Sequence, residues 1–189
     1  MKKLLILLFF ICFYGNSQEI REYVDTTPIS ETLYPDDHLK TLKYHNGQLK
    51  FQIITTELNQ KNGNPLKWAE REWYFNGIDK SEKNYKNGKK HGISREWNAN
   101  GQLKWTVTYI SDKKNGLWLE WYENRKLKSE GNYKDGKKHG LWRNWYENGE
   151  LQYVENYKGG KKHGVFKEWY SNGNIKIEAN YFTGEKHLK

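Results

Sequence analysis

The chain has 189 residues, of which 35% are hydrophobic and 16% aromatic, and its formal net charge is +9. The low apolar content argues against a conventional globular core, whereas disordered chains are poor in aromatic residues. The composition therefore favours a thin, polar-coated fold held together by aromatic side chains. The length allows one domain or two small ones.

The first residues have the pattern of a secretory signal. Two lysines follow Met1, an apolar run covers residues 4–14, and Gly15 and Ser17 provide the small residues of a cleavage site. The run is shorter than the ~20 apolar residues that a membrane-spanning helix needs. The pattern predicts a signal peptide at residues 1–17 and hence an exported protein, located in the periplasm, on the cell surface or outside the cell.

The single cysteine, Cys12, lies inside this apolar run. Bulky residues precede it, which argues against lipid anchoring at this position. Cleavage after residue 17 would leave a chain without thiols. Disulfides, cysteine nucleophiles and thiolate metal sites are then excluded.

The charge changes sign along the chain. Residues 18–40 contain six acidic and two basic residues, whereas residues 41–189 contain 17 acidic and 28 basic residues. This change predicts a boundary near residue 40, with an acidic leader or linker at 18–40 and a folded domain at 41–189.

Several residue types recur every 24 residues from residue 73 onward. The recurring aromatic positions are Trp73, Trp97, Trp121, Trp145 and Trp169, together with Tyr85, Tyr109, Tyr133, Tyr157 and Tyr181. Asparagine and glycine follow the same period, while the pattern is looser before residue 73. We therefore predict regular repeats over 73–189 and a degenerate first repeat over 41–72.

Each repeat contains two short runs rich in aromatic and β-branched residues. Asn148-Gly149 separates the runs in one copy, and Lys-Asp-Gly-Lys at 134–137 links that copy to the one before it. Both are tight-turn signals between strands. The prediction is an all-β fold: an elongated, twisted antiparallel meander of tandem 24-residue β-hairpin repeats, preceded by a signal-peptide helix.

The repeated pattern resembles a known family. The run Gly-Lys-Lys-His-Gly-x-Trp-x-x-Trp-Tyr-x-Asn-Gly-x-Leu resembles the bacterial variant of the MORN repeat, closely over 78–181 and loosely over 41–77. Asp112 and Arg125 depart from it, because they stand where other copies have a turn glycine. The resemblance implies hairpins in a twisted sheet and a non-catalytic binding or scaffold protein. Bacterial members are often labelled as antitoxin components of toxin–antitoxin modules.

Nothing in the sequence indicates catalysis, a cofactor or a metal site. Nucleophile-elbow, zinc-protease and phosphate-loop motifs are absent. The histidines His91, His139, His163 and His187 fall on neighbouring loops, which sheet geometry separates by about 10 Å, whereas a Zn–N bond is about 2.0–2.1 Å. One ion cannot bridge two such loops. We therefore expect a protein that is not an enzyme.

Lysine pairs recur in the turns and form a candidate basic edge. Its members are Lys89, Lys90, Lys113, Lys114, Lys137, Lys138, Lys161 and Lys162. Such a row could bind lipid head groups, an acidic glycan or an acidic protein. It could equally be a solubilising edge whose lysines deter strand pairing.

The aromatic residues divide into two groups. The five tryptophans of the 24-residue series and the five tyrosines are interpreted as structural positions. A second row is a candidate ligand platform, since flat rings stack on sugars, but it could also be a second packing layer. This row consists of Trp118, Trp142, Phe166, Tyr122, Tyr146 and Tyr170.

These features support three functional hypotheses. The first is an exported, non-enzymatic binding or scaffold module for a protein or an anionic envelope component, either a lipid head group or a glycan. The second is a glycan-binding module that uses the aromatic row, and the third is an antitoxin or immunity-like protein that neutralises a toxin. Nucleic acid is a poor target for an exported protein. Residues 175–181 should also form a bare edge strand that is open to self-association or to a partner.

Overall fold

The computed structural model describes residues 39–44, 47–58, 60–61 and 65–187. Every regular element in these ranges is a β-strand, and the strands form one antiparallel sheet. No helix able to span a membrane occurs among the described residues. The predicted signal peptide at 1–17 and residues 18–38 of the predicted leader lie outside the described residues, and the first strand begins at Leu39.

The sheet contains fourteen strands. They are β1 (Leu39–Lys43), β2 (Leu49–Leu58), β3 (Pro65–Trp73), β4 (Asp79–Lys86), β5 (Lys89–Trp97), β6 (Leu103–Ile110), β7 (Lys113–Trp121), β8 (Leu127–Lys134), β9 (Lys137–Trp145), β10 (Leu151–Lys158), β11 (Lys161–Lys162), β12 (Gly164–Trp169), β13 (Ile175–Phe182) and β14 (Glu185–His187). Each strand pairs with the next along the chain, except that β10 pairs with both the short β11 and β12. The predicted all-β meander of hairpins is therefore confirmed.

Two kinds of turn alternate along the sheet. At the Asn-Gly turns only the glycine has a positive φ, as at Gly149 (95°). Its N–H donates to the Tyr146 carbonyl at 2.9 Å, and the Tyr146 N–H donates to the Glu150 carbonyl at 2.8 Å. Asn148 uses its side chain instead, since Oδ1 accepts from the Glu150 N–H at 2.9 Å. This arrangement resembles a type I turn followed by a left-handed glycine.

The lysine-containing turns are two-residue turns of the primed type. Asp135 and Gly136 have φ values of 52° and 81°, as a type I′ turn requires. Because strands in a meander alternate in direction, all lysine-containing turns lie along one side of the sheet and all Asn-Gly turns along the other. The two sides therefore differ in sequence along their whole length.

One face of the sheet carries the most buried apolar side chains. Val107, Trp142 and Ala179 are buried, with exposed fractions of 1%, 2% and 6%. Trp118 lies directly opposite both Val107 and Gly131, which places these three residues on the same face, and the Trp142 indole packs against Gly131 on that face. We call this the aromatic face.

Ring contacts run continuously along the aromatic face from strand to strand. Trp105 stacks on Trp118 at 5.6 Å between ring centroids, and Trp118 meets Tyr133 edge-on at 6.3 Å. Tyr133 then meets Trp142 at 5.0 Å, and Trp142 meets Tyr157 at 6.4 Å. Offset and edge-on pairs of this kind add stabilisation beyond the area that they bury. The rings thus connect each repeat to its neighbours.

The opposite face is more open. Ile93, Leu117, Leu141 and Val165 occupy equivalent positions in four repeats and are 41%, 50%, 41% and 47% exposed. Ion pairs lie among them, such as Arg95 with Glu82 at 2.8 Å. No second layer of described residues covers either face, so packing within the sheet supplies most of the burial.

Gly131 provides the space that the Trp142 indole occupies. A Cβ atom built on Gly131 would overlap Cδ2, Cε2 and Cγ of Trp142. The Trp142 indole N–H also donates to the Asn132 carbonyl at 3.1 Å, which fixes the ring in place. A glycine is therefore required here for close approach of a ring, and its φ is not in the left-handed region.

We predict that Gly131→Ala lowers the free energy of unfolding by about 1–3 kcal/mol, because overpacking forces the indole out of its position. Urea denaturation would measure the loss. In a Trp142→Ala background the same change should cost less, since no ring remains to overlap the added methyl group. Equal losses in both backgrounds would show that overlap with the indole is not the cause.

Candidate functional site

The two lysines of each Lys-Lys pair have different environments. Because successive side chains of a strand point to opposite faces, adjacent lysines cannot lie on the same side of the sheet. The first lysine of each pair is exposed and the second is half-buried. The exposed set is Lys89, Lys113, Lys137 and Lys161, and the half-buried set is Lys90, Lys114, Lys138 and Lys162.

The half-buried lysines lie over the aromatic face. The Lys138 Nζ is 4.2 Å from the ring centroid of Trp142 and 5.0 Å from that of Tyr157. Lys114 makes the same pair of contacts with Trp118 and Tyr133, at 4.4 and 5.0 Å. These are cation–π distances. This half of the predicted basic edge therefore belongs to the packing of the aromatic face.

Burial shifts the pKa of two of these lysines. Desolvation lowers the pKa of Lys114 and of Lys138, while the nearby carboxylates of Glu120 and Glu155 act in the opposite direction. Lys162, the next in the series, forms an ion pair with Glu155. The ammonium groups of this set are thus already engaged by rings and carboxylates.

The exposed lysines gather at the turns with further lysines from the preceding strand ends. Together they form what we call the basic turn row: Lys86, Lys89, Lys113, Lys134, Lys137, Lys158 and Lys161. Within the part of the chain that the structure describes, no carboxylate lies within 4.0 Å of any of these ammonium groups. In contrast, Lys104, Lys128 and Lys176 contact glutamates at 2.7, 2.8 and 2.7 Å.

Three turns in the basic turn row place two lysines directly opposite each other. The opposed pairs are Lys86 with Lys89, Lys134 with Lys137, and Lys158 with Lys161. Like charges that face each other across a β-ladder are destabilising. The predicted basic edge included only the later lysine of each opposed pair, because it was defined from consecutive Lys-Lys pairs.

The positive charge is confined to one side of the sheet. The five turns at 86–90, 110–114, 134–138, 158–162 and 182–186 contain twelve lysines and three acidic residues. The five Asn-Gly-type turns at 74–78, 98–102, 122–126, 146–150 and 170–174 contain two basic and three acidic residues. A strong electrostatic field therefore arises along one side only.

The predicted ligand platform needs a correction at Trp142. This ring is 2% exposed and cannot present a free face to a ligand. Trp118 and Phe166 also pack within the aromatic face, on Tyr133 and Tyr181 respectively. The physical reason is the register, which places these rings against the small residues of neighbouring strands.

The tyrosines of the same predicted row connect consecutive repeats. The Tyr122 hydroxyl donates to the Trp145 carbonyl at 2.7 Å, and the Tyr146 hydroxyl donates to the Trp169 carbonyl at 2.9 Å. Tyr170, in the last copy, is 50% exposed. Of the six predicted residues, two thus bond to the backbone through their hydroxyls and three pack against other rings.

The tryptophans of the 24-residue series, which were interpreted as structural positions, are half-buried. They are Trp73, Trp97, Trp121, Trp145 and Trp169. In four copies the tryptophan carbonyl accepts a hydrogen bond from a tyrosine hydroxyl of the preceding repeat, as Trp73 does from Tyr44 and Trp97 from Tyr74.

The tyrosines predicted to be structural make contacts within the sheet. Tyr133 and Tyr157 lie in the aromatic face, and Tyr181 meets the ring of Phe166. Tyr109 contacts the Lys90 ammonium group. Tyr85 stacks on Trp68 at 5.0 Å and donates to the Glu70 carboxylate at 2.9 Å.

The histidines do not assemble into a metal site within the described residues, where no three potential ligands come together. The His163 ring lies 5.5 Å from Phe182. Its neighbourhood is therefore apolar on one side.

We predict that Trp142→Ala lowers the free energy of unfolding by about 3–5 kcal/mol, as expected for a buried indole. Leu141→Ala is the matched control, because Leu141 is adjacent in sequence but 41% exposed on the opposite face. It should change stability by well under half of that amount. Thermal or urea denaturation would measure both, and similar losses would contradict the assignment of the two faces.

Comparisons with known proteins agree with the hairpin repeats. Residues 90–110, 114–135, 138–158 and 162–182 each match the MORN repeat variant. No curated protein matches the chain. A mutant of S. aureus TarM, solved in complex with Fondaparinux, alpha-GlcNAc-glycerol and UDP, is 7% identical, with a TM-score of 0.37 over 57% of this chain. This chain spans only 20% of that protein's length. The protein is thus a β-hairpin repeat protein in which four tandem segments match the MORN repeat variant, and such repeats suggest a binding module.

Proposed function

We propose that the protein is an exported, non-enzymatic binding module whose basic turn row attaches to an anionic surface of the cell envelope. The observation that carries the proposal is the set of three opposed lysine pairs without a carboxylate partner among the described residues. The predicted signal peptide supports the location, and the tandem MORN repeats support a binding role.

The opposed pairs cost stability in the free protein. Two ammonium groups about 4 Å apart repel by about 1 kcal/mol in water, and more where the solvent is partly excluded. An anion placed between them would convert this repulsion into two attractive contacts. The pairs therefore reduce the stability of the free sheet and favour a bound anion.

The alternative of a merely solubilising edge explains the row less well. Lysines protect a sheet when they lie along an edge strand whose backbone groups lack partners. The basic turn row instead lies at the ends of paired strands, where the backbone N–H and C=O groups already bond to the other strand of the hairpin. The Asn-Gly turns are equally exposed and carry almost no net charge, so solubility does not require lysines at every turn.

The spacing of the row suits an extended ligand surface. Strands lie about 4.8 Å apart, so the turns from Lys86-Lys89 to Lys158-Lys161 extend over about 29 Å. A lysine near an anionic membrane contributes about 1 kcal/mol, and this contribution decreases within a Debye length. Several weak contacts along one line would thus add up to salt-sensitive binding. Anionic lipid head groups are the form of envelope charge that we propose.

We predict that the protein binds vesicles containing phosphatidylglycerol at low salt and is released as the salt concentration rises. Replacing Lys86, Lys89, Lys134, Lys137, Lys158 and Lys161 with glutamine removes the opposed pairs. At about 1 kcal/mol for each of the six lysines, this change should weaken binding by about 10⁴-fold. Vesicle co-sedimentation across a salt series would measure it, with neutral phosphatidylcholine vesicles for comparison.

A control variant removes the same amount of charge from elsewhere in the sheet. Lys80, Lys83, Lys104, Lys128, Lys167 and Lys176 each contact a glutamate, and glutamine at these six positions should weaken binding far less. Equal weakening by both variants would show that net charge, rather than the basic turn row, determines binding. Absence of vesicle binding at every salt concentration, or binding only to an acidic protein, would overturn the proposal.

A further inference from the structure

The basic turn row belongs to one face of the sheet as well as to one side of it. Lys114 and Lys138 lie over the aromatic face, so the residues before them, Lys113 and Lys137, point to the opposite face. Lys134 faces Lys137 across the ladder and therefore shares that face. We call this face, which lies opposite the aromatic face, the open face.

An apolar stripe runs beside the basic turn row on the open face. Its members, which are 41–50% exposed, are Ile93, Leu117, Leu141 and Val165. Leu117 pairs with Asn132, which is two residues from Lys134. The same spacing recurs in the next repeat between Leu141 and Lys158. At about 3.3 Å for each residue, the apolar stripe lies about 7 Å from the lysines along the strands.

Strand formation alone does not account for the apolar stripe. Two residues further along the same strands, three of the four repeats have a basic residue, namely Arg95, Arg143 or Lys167. Each of these forms an ion pair with a glutamate of an adjacent strand. Charged residues therefore fit the open face equally well. Exposed apolar residues at one position in four successive repeats are instead typical of a contact surface.

Two of the lysine-containing turns add apolar surface at the row itself. Ile110 faces Lys113, and Phe182 faces Glu185, at the places where the other turns have the first lysine of an opposed pair. These two side chains are 46% and 61% exposed. Where the series of opposed lysines is interrupted, the replacement is therefore apolar.

The twist of the sheet limits how much of the apolar stripe one flat surface can meet. Neighbouring strands rotate by about 20–25° relative to each other. Ile93 and Val165 are six strands apart in the sheet order, so they face directions that differ by roughly 120° or more. Leu117 and Leu141 are only two strands apart, in the middle of the stripe. A flat surface can therefore contact these two leucines together, along with the lysines of the turns beside them.

We propose that Leu117 and Leu141 insert into the apolar boundary of an anionic bilayer while the lysines beside them bind the lipid phosphates. Insertion rests on the proposed binding of anionic lipid head groups, and it adds an orientation in which the open face is turned towards the lipid. Amphipathic elements bury their apolar side about 5–10 Å into the boundary between head groups and acyl chains. Lysine stems are long enough to keep their ammonium groups at the phosphates from such a position. The separation of about 7 Å between stripe and lysines matches this geometry.

Lipid fits this surface better than a protein partner does. Leu117 and Leu141 are separated by about 9.6 Å, so they project as two ridges and do not line a groove. A protein would need a shape complementary to both ridges, whereas fluid acyl chains adapt to them. The lysines next to the ridges complement the negative charge of the head groups.

The double variant of Leu117→Asn and Leu141→Asn tests insertion in the full chain. It leaves every lysine in place, so attraction to phosphatidylglycerol vesicles should persist at low salt. Loss of two half-exposed leucines from the lipid contact should weaken binding about tenfold. It should also remove the part of the binding that resists high salt, because salt screens only the charged contacts. Vesicle co-sedimentation across a salt series would measure both effects.

The double variant of Phe75→Asn and Ile175→Asn is the matched control. Both residues are 57% exposed, but they lie at Asn-Gly turns on the other long side of the sheet. Ile175 begins the segment 175–181 that the sequence predicted to be a bare edge, whereas β14 in fact pairs with it at residues 180 and 181. The control should bind vesicles like the unaltered protein, with circular dichroism as the check on folding. Equal weakening by both double variants would overturn insertion.

A local probe tests insertion even if the asparagine variant does not fold. In a Cys12→Ser background, Leu117→Cys provides a single thiol for an environment-sensitive fluorophore. Its emission should move to shorter wavelength on addition of phosphatidylglycerol vesicles and stay unchanged with phosphatidylcholine vesicles. The same label at Ile175→Cys should respond to neither.

The outcomes separate insertion from the proposed electrostatic binding. If the labelled protein co-sediments with phosphatidylglycerol vesicles without a response at position 117, insertion is wrong and the basic turn row alone binds the surface. If the protein binds these vesicles at no salt concentration, both proposals fail. Self-association without lipid, measured by sedimentation equilibrium and lost in the Leu117→Asn, Leu141→Asn variant, would assign the stripe to a second copy and overturn insertion.

Discussion

Burial of side chains against neighbouring strands of the same sheet is the interaction on which the structure depends. The described residues form one layer, whereas most domains bury their apolar faces between two layers. Each repeat therefore relies on its neighbours, as in other quasi-one-dimensional folds. The Trp142 indole shows how this is achieved, because it covers Gly131 of the preceding strand and meets the ring of Tyr157 on the following one.

This constraint explains why charged residues take part in the packing. With no second layer to exclude water, the rings of the aromatic face would remain partly exposed. The flexible Lys114 and Lys138 side chains cover them with methylene groups and bring their ammonium groups over the rings. Four of the eight paired lysines thus complete the packing of the sheet. The other four belong to the basic turn row, whose ammonium groups contact no carboxylate among the described residues.

The sequence predicted the hairpins because turn chemistry and periodicity are local properties. Asn-Gly and Lys-Asp-Gly-Lys signals determine the turns, and the 24-residue period repeats them. At Arg125, where other copies have glycine, the backbone still adopts the left-handed conformation with φ at 69°, so the repeat tolerates the substitution. Periodicity predicted the hairpins from residue 73 onward, but not the pairing of β1, β2 and β3 in the irregular first repeat or the short β14 beside β13.

The faces were harder to predict, because they depend on how strands align with one another. The alternation of side chains along a strand correctly placed Leu117 and Trp118 of β7 on opposite faces of the sheet. It did not show that Trp118 faces Gly131 while Gly116 faces Tyr133, which decides which row is buried. Register shifts at the strand ends add to the difficulty, since a single extra residue reverses the side of every position beyond it. The buried state of Trp142 therefore emerged only from the structure.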